Sequence, residues 1–248
     1  MTRSTPLYAI LALAPLTQPV SAAFLTPNSW TPGDPYTTRQ HWDIFQSPLN
    51  GTNPADLALA NPNGAPNLIN IEPGAFVTSG GNIYSFSNPI RIETSIPQEN
   101  LGLGYVTTLL LQIRTQGTEI DWSTANVAYT DNNGIQTVTP FDQLELARIP
   151  LGGFGGALVD HAAVFHIPFS PASLLVRFNS LGSSSSLDQV LIDTVVTRAD
   201  ASSQLLAGMN EQVGFVTTPI PEPATLALLG LAAAILRPTA RKSARPSA

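Results

Sequence analysis

Short runs of β-branched and aliphatic residues, separated by turn-forming residues, recur along most of the chain and constrain its fold most strongly. In "SLLVRFNS", Leu174, Val176 and Phe178 alternate with more polar neighbours, which is the period of two expected for a strand with one buried face. About ten such runs lie between residues 68 and 198, without a convincing helical pattern among them. We therefore predict an all-β fold, an antiparallel β-sandwich with a jelly roll as the preferred topology.

Two of these runs have more specific signals. The run "YVTTLLLQIRTQG" is long and almost continuously aliphatic or β-branched, which is typical of a central strand. The runs "ANVAYT" and "IQTVTP" are joined by "DNNG", and because Asn and Gly accept positive φ angles, this pattern predicts a β-hairpin.

Composition favours a single folded domain that begins with a loop-rich lead-in and is followed by a linker. The chain has 248 residues, with 18 Gly and 22 Pro, which suits a turn-rich β domain. We predict a sandwich domain over residues 24–198, of which 24–66 is a loop-rich lead-in, followed by a linker over 199–218.

The charge balance excludes one class of partner. Between residues 24 and 218 the chain has six arginines, no lysine and 16 acidic residues, an excess of ten negative charges. Without a basic stripe to displace counterions from phosphates, nucleic-acid binding is not expected. The chain has no cysteine, so disulfides and thiolate metal sites are excluded.

The N-terminus has the order of a secretory signal peptide. Arg3 is followed by an apolar stretch over 7–16 and by small residues, so we predict a signal peptide over 1–23, cut by signal peptidase after Ala22 or Ala23. A membrane anchor is the alternative, but about ten apolar residues are too short to span ~30 Å of hydrocarbon.

The C-terminus contains a second apolar run, Ala224 to Leu236, which has no charged residue. A cluster of basic residues follows it: Arg237, Arg241, Lys242 and Arg245. We predict a transmembrane helix over about 224–236, and the basic cluster would hold its far end in the cytoplasm. A buried core helix is the alternative, but the run has no polar face.

Pro221, Glu222 and Pro223 precede this apolar run. Together with the helix and the basic end, they resemble the PEP-CTERM sorting signal of Gram-negative bacteria, which would cover residues 219–248. The resemblance implies recognition by an exosortase, a transient inner-membrane anchor, and delivery to the cell surface or extracellular matrix. Pro238 departs from the usual pattern because it spreads the basic cluster out.

A weaker resemblance concerns the body. The run "SLDQVLIDTVV" is similar to the last core strand of many jelly-roll carbohydrate-binding modules. That resemblance implies a sugar ligand, for which aromatic rings would serve as stacking surfaces. Trp122, beside Asp121, is the ring that we select as a speculative glycan-stacking residue.

Other polar pairs are candidates for chemistry. Glu119 and Asp121 are spaced to share one face of a strand, as a glycosidase pair would require, although acids on an acidic surface are the simpler interpretation. His161 and His166, with Asp160, would face opposite sides of one strand, so shared metal binding would need a bulge. Structural calcium is left open, with oxygens available in the candidates Asp131, Asp188 and Asp193.

These observations predict an exported, non-enzymatic surface or matrix protein, sorted by an exosortase and associated with extracellular polysaccharide such as that of a biofilm matrix. We assign no catalytic, cofactor-binding or metal-binding residue. The alternative is a secreted polysaccharide-active enzyme, a glycosidase or lyase, on the same scaffold, and a purely structural domain is a third interpretation.

Overall fold

The computed structural model describes residues 24–59, 63–152 and 156–202. The predicted signal peptide, sorting motif and transmembrane helix, and most of the predicted linker, lie outside the described residues. The described part contains fourteen strands. They are β1 (Thr37–Trp42), β2 (Asn53–Pro54), β3 (Leu57–Leu59), β4 (Asn67–Asn70), β5 (Ala75–Val77), β6 (Ile83–Ser85), β7 (Arg91–Pro97), β8 (Tyr105–Gly117), β9 (Ile120–Asp131), β10 (Gly134–Val138), β11 (Asp142–Pro150), β12 (Ala157–Ile167), β13 (Ser173–Ser180) and β14 (Ser185–Arg198).

The strands form two antiparallel sheets. The large sheet has the order β11-β12-β8-β14-β1-β3, and β6 also pairs with β14 and carries β5. The small sheet has the order β10-β9-β13-β7-β4-β2. The prediction of an antiparallel β-sandwich is confirmed.

Eight of these strands pair in a nested way. β1 pairs with β14, β7 with β13, β8 with β12, and β9 with β10. The first four of these eight strands therefore pair with the last four in reverse order. The resulting orders β1-β14-β8-β12 and β7-β13-β9-β10 are those of a jelly roll, in which two Greek keys close over one core. The predicted topology therefore agrees with the strand order.

The core between the sheets follows from alternation along the strands. Leu109, Leu111 and Ile113 of β8 point into it and are fully buried. Leu174, Val176 and Phe178 of β13 face them from the small sheet, as the period of two predicts. Burying a side chain of this size contributes about 1.5–3 kcal/mol.

The other face of the large sheet is also covered, by the start of the lead-in. Trp30 packs there against Leu110, Val164 and Val195. The backbone N–H of Leu25 donates to Gln112 Oε1 at 2.6 Å, and Gln112 Nε2 donates back to the Leu25 carbonyl at 2.9 Å. β8 is therefore buried on both faces, which explains its continuous apolar sequence.

Two ion pairs lie on this covered face. Arg114 of β8 donates to both oxygens of Asp160 on β12, at 2.6 and 2.9 Å, and Arg39 of β1 does the same to Asp193 on β14, at 2.6 and 3.0 Å. Both carboxylates are fully buried. A buried carboxylate needs such a partner because desolvation penalises its charge.

The Arg114–Asp160 pair provides a test of this covered face. We expect Asp160→Asn to lower the free energy of unfolding by about 3 kcal/mol, because it leaves a mostly buried guanidinium without its bidentate carboxylate. The matched control is Glu93→Gln, whose pair with Arg177 is substantially exposed and should contribute about 1 kcal/mol or less. Urea-induced unfolding followed by tryptophan fluorescence measures both, and equal losses would contradict the prediction.

Candidate ligand-binding cleft beside Trp122

The chain crosses from the large sheet to the small sheet between β8 and β9, and this crossing positions the candidate site. Gly117 ends β8 with φ of 84°, and a Cβ there would lie 2.5 Å from the Ser184 carbonyl oxygen, so only glycine fits. Thr118 donates to Ser183 and Ser184 carbonyls at 2.6 and 3.0 Å. Glu119 is thereby fixed at the edge of the sandwich, one residue before β9 begins.

Four side chains meet at this edge: Glu119, Glu145, Arg148 and His161. The Arg148 guanidinium donates to both oxygens of Glu119, each at 2.8 Å, and to both oxygens of Glu145 at 2.9 and 2.7 Å. His161 Nε2 lies 3.8 Å from Glu119 Oε2 and 3.9 Å from Glu145 Oε2. We call these four residues the charge network.

A bulge in β11 brings two of these residues together. Glu145 pairs with His161 and Ala147 with Asp160, so Leu146 is an extra residue in β11. In a regular strand, residues 145 and 148 would point to opposite faces because their separation is odd. The bulge places Glu145 and Arg148 on the same face, within reach of one another.

Trp122 packs against the buried histidine of this network. The Trp122 and His161 rings meet edge to face, with centroids 5.6 Å apart and an interplanar angle of 67°. His161 is only 8% exposed. Trp122 Nε1 and His161 Nδ1 are buried and make no hydrogen bond to the described residues. Such groups are uncommon in native proteins and require a partner such as a ligand or water.

Burial and ion pairing set the protonation states of the network. Desolvation lowers the pKa of His161, and it outweighs the opposing effect of Glu119 and Glu145, so the imidazole is neutral at pH 7. The hydrogen bond from Arg148 lowers the pKa of Glu119, so this carboxylate stays ionised. The network therefore places a neutral imidazole beside the ionised Glu119 carboxylate.

Trp122 also borders an open cleft of about 480 Å³, which lies between the start of β9 and the connection from β10 to β11. The other lining residues are Ser123, Pro140, Phe141, Asp142 and Gln143. The Phe141 side chain is 57% exposed, and its backbone N–H donates to the Val164 carbonyl at 2.7 Å. The cleft therefore offers aromatic surface and polar side chains side by side.

The charge network also has the residue types of a metal site. One ligand atom from each of Glu119, Glu145 and His161 lies within 4.8 Å of the others. The fit is poor, because Arg148 Nη2 already lies 2.8 and 2.7 Å from the two carboxylate oxygens that face His161. The guanidinium supplies the positive charge that a metal ion would supply, so we interpret the four residues as a charge network.

His161 and His166 face opposite sides of β12, as their spacing predicts, and Glu119 and Asp121 also have different partners. Glu119 joins the charge network, whereas Asp121 accepts hydrogen bonds from the Ser123 N–H and hydroxyl at 3.1 and 2.6 Å at the start of β9. His161 faces the core side and Asp160 the covered side of the large sheet. His166 lies on the same side as Asp160, and burial lowers its pKa.

The oxygens considered for calcium are also apart. Asp131 accepts from the Asn133 N–H at 2.7 Å in the β9–β10 turn, Asp188 lies 4.0 Å from Arg114, and Asp193 pairs with Arg39. Glu145, Arg148 and Phe141 were not predicted from the sequence. No alternation in the sequence indicates the β11 bulge that assembles the first two.

Comparison with known proteins bears on the C-terminus. The family model for the PEP-CTERM protein-sorting motif matches residues 219–242. The chain carries a PEP-CTERM sorting motif. The resemblance of Pro221, Glu222 and Pro223 is thereby confirmed, and the motif implies exosortase-dependent export to the cell surface in Gram-negative bacteria.

Other comparisons concern the body of this PEP-CTERM chain. A search of curated proteins gave no match. Among solved structures, the enzymatically active domain of tailspike protein 4 from bacteriophage CBA120 is similar at 14% identity and a TM-score of 0.24, over 71% of this chain and 24% of that one. Within the described residues, no helix has the length and hydropathy required to cross a bilayer.

The charge network predicts a measurable shift of one pKa. We expect Arg148→Gln to raise the pKa of His161, because two carboxylates then face the imidazole without their counter-charge. The measurement is an NMR titration of the His161 ring protons. Arg177→Gln removes an arginine on the small sheet that pairs with Glu93, and it should leave the His161 titration unchanged. An unchanged pKa in Arg148→Gln would refute the network.

Proposed function

We propose that this PEP-CTERM chain is a non-enzymatic cell-surface or matrix protein whose sandwich binds extracellular polysaccharide in the cleft beside Trp122. The observation that carries the proposal is the composition of that cleft. The indole of Trp122 and the exposed ring of Phe141 lie beside the hydrogen-bonding side chains of Ser123, Asp142 and Gln143. Its volume of about 480 Å³ is within the usual range for sites of small ligands.

The chemistry of the cleft suits a sugar. A pyranose ring has an apolar face that stacks on aromatic rings and a rim of hydroxyls that donate and accept hydrogen bonds. The cleft supplies carboxylate and amide groups for the hydroxyls.

The charge of the body restricts the class of polysaccharide. Six arginines against 16 acidic residues between residues 24 and 218 give a surface that repels anionic polymers. Arg148, beside the cleft, is already engaged by two carboxylates. A neutral polysaccharide therefore fits this cleft better than a uronic-acid polymer.

The protonation states favour binding over hydrolysis. A glycosidase needs one carboxyl group that is protonated at working pH to donate to the leaving oxygen. Glu119 is held ionised by Arg148, so it is a poor general acid. The alternative of a secreted polysaccharide-active enzyme keeps one favourable observation, the neutral His161, which would serve as a general base for a lyase.

Binding at the cleft is tested with the full chain on a glycan array. We expect Phe141→Ala to weaken binding about 3- to 10-fold, since an aromatic contact contributes about 0.5–1.5 kcal/mol. Leu103→Ala is the matched control, because Leu103 is 73% exposed and lies away from the cleft. Trp122→Phe, which keeps most of the packing, should also weaken binding.

Two results would overturn the binding proposal. Unchanged affinity in both Phe141→Ala and Trp122→Phe would remove the cleft as the site. Release of saturated or unsaturated oligosaccharides by the wild-type chain, and its loss in His161→Gln, would establish the enzymatic alternative instead.

Processing by exosortase is tested separately in a Gram-negative host that has the enzyme. We expect Glu222→Ala to accumulate as a membrane-associated precursor with its C-terminus intact, because the substitution removes the charged residue of the Pro-Glu-Pro motif. Intact-mass measurement and cell fractionation detect the precursor. Glu211→Ala, outside residues 219–242, is the control and should be processed like the wild type. Normal processing of Glu222→Ala would contradict the proposed role of the motif.

A further inference from the structure

Three aromatic rings form an exposed cluster on the hairpin of β5 and β6. Phe76 is 42% exposed and Phe86 67% exposed, and Tyr84 lies between them. The ring centroids of Tyr84 and Phe86 are 4.6 Å apart, those of Phe76 and Tyr84 are 5.5 Å apart, and those of Phe76 and Phe86 are 6.0 Å apart. We call these three residues the aromatic surface.

The alternation of the two strands explains why these rings face outward. Ile83 and Ser85 of β6 are buried, and Ala75 and Val77 of β5 pack against the core between the sheets. Their neighbours in the sequence must then point away from the core. Three large rings that contact one another and are exposed to water form a contiguous apolar patch, which is unfavourable in free energy. Such patches mark interaction sites.

The hairpin that carries the rings is held in one conformation. Thr78 and Asn82 are joined by a backbone hydrogen bond of 2.9 Å, and Gly81 donates to the Thr78 carbonyl at 3.0 Å. The Gly81 carbonyl accepts from the Phe45 N–H at 2.8 Å, which ties the turn to the body. Because the rings are ordered before a ligand arrives, binding loses less conformational entropy.

Uncharged polar side chains lie on the strands next to the rings. Tyr84 pairs with Ser186, and Ser186 pairs with Gln116 on the next strand. Asn82 Nδ2 donates to Ser186 Oγ at 3.4 Å, and Asn88, two residues after Phe86, donates to the Pro73 carbonyl at 2.9 Å. Amides and hydroxyls beside exposed rings suit a neutral ligand that is rich in hydroxyl groups.

We propose that the aromatic surface is a second polysaccharide-binding site, which takes a neutral sugar chain by stacking on the rings of Phe76, Tyr84 and Phe86. A second copy of the chain is disfavoured as the occupant by its excess of ten negative charges over residues 24–218. The same charge disfavours an anionic membrane surface, for which basic residues would be required.

The aromatic surface and the cleft are separate. One row of directly paired residues crosses the large sheet from β6 through β14, β8 and β12 to β11. Its members, in that order, are Tyr84, Ser186, Gln116, Leu158 and Ile149. At ~4.8 Å between strands, the row places β6 about 19 Å from β11, the strand of the charge network. The aromatic surface is on the outer face of the large sheet, whereas His161 and Trp122 are on its core side.

Two separate sites give the chain a bridging activity. This bridging activity rests on the proposed function of the cleft. One molecule would hold two polysaccharide chains, or two points of one chain, and would gain avidity for a polymer network. The aromatic surface itself does not depend on the cleft, so each site is tested with its own substitution.

Affinity electrophoresis of the full chain tests this inference, in gels that contain hydroxyethyl cellulose, galactomannan or xyloglucan, with alginate as the anionic comparison. We expect the double variant Phe76→Ala/Phe86→Ala to lose about tenfold in affinity for the neutral polymer that retards the wild type, since two ring contacts are removed. Both rings are exposed, so the melting temperature should be unchanged. Leu103→Ala is the control for loss of an exposed apolar side chain.

Bridging has its own readout, the turbidity of the chain mixed with the retarding polymer. The wild type should cross-link the polymer, whereas Phe76→Ala/Phe86→Ala and Phe141→Ala should each bind without turbidity. If only Phe141→Ala weakens binding, the aromatic surface is not a site and the proposed function stands. If only the double variant weakens binding, the cleft is excluded and the aromatic surface stands.

Other occupants would appear as distinct outcomes, and each would overturn the inference. Conversion of a wild-type dimer to a monomer by the double variant, in sedimentation velocity, would make the surface a self-association face. If the wild type floats with vesicles of phosphatidylethanolamine and phosphatidylglycerol and the double variant does not, the surface is a membrane contact. Failure of every neutral polymer to retard the wild type would overturn the aromatic surface and the cleft together.

Discussion

The ladder between β8 and β14 is the interaction on which the rest of the structure depends. It runs from Ser185 beside Gly117 to Arg198 beside Tyr105, in the middle of the large sheet. One end of this ladder organises both candidate sites. Gly117 starts the crossing that positions Glu119 and Trp122, and the segment Ser185–Leu187 also pairs with β6, which carries the aromatic surface. The positions of the two surfaces are thus fixed relative to each other by the most extensively paired strands.

Burial on both faces explains how a chain with so few charged residues places several of them inside. Trp30 and its neighbours remove the central part of the outer face of the large sheet from water, so Asp160 and Asp193 are stable there only as partners of Arg114 and Arg39. Each pair joins neighbouring strands at one register. A slip by one residue would separate each buried carboxylate from its arginine, so the pairs specify alignment more than they add stability.

The sequence predicted those parts of the fold that depend on local patterns. The alternation of Leu174, Val176 and Phe178, the central position of β8 and the turn at 131–134 are local signals, and all agree with the structure. The lead-in also contains β1, a full partner of β14. Its sequence "TTRQHW" lacks a clear apolar period, because its outward residues Arg39 and His41 are covered by tertiary contacts.

The candidate sites could be predicted only in part, since they arise from tertiary geometry. Trp122 was selected for its residue type. By contrast, Arg148 reaches the site only because of the β11 bulge, and Glu119 only because the chain crosses between the sheets after β8. The spacing of Glu119 and Asp121 predicted a shared face only if both belonged to one strand, but β9 begins between them at Ile120. Phe76 and Phe86 are ten residues apart in the sequence, and no local periodicity predicts their contact. The pairing of β5 with β6 makes them neighbours.

The direction of β14 connects the two surfaces with the sorting motif. β14 begins at Ser185, beside the aromatic surface and the Gly117 crossing, and ends at Arg198, after which the chain continues toward residues 219–242. A strand of this length separates its two ends by about 40 Å. The described chain therefore leaves the sandwich at the Tyr105 end of β8, far from the aromatic surface at the Gly117 end.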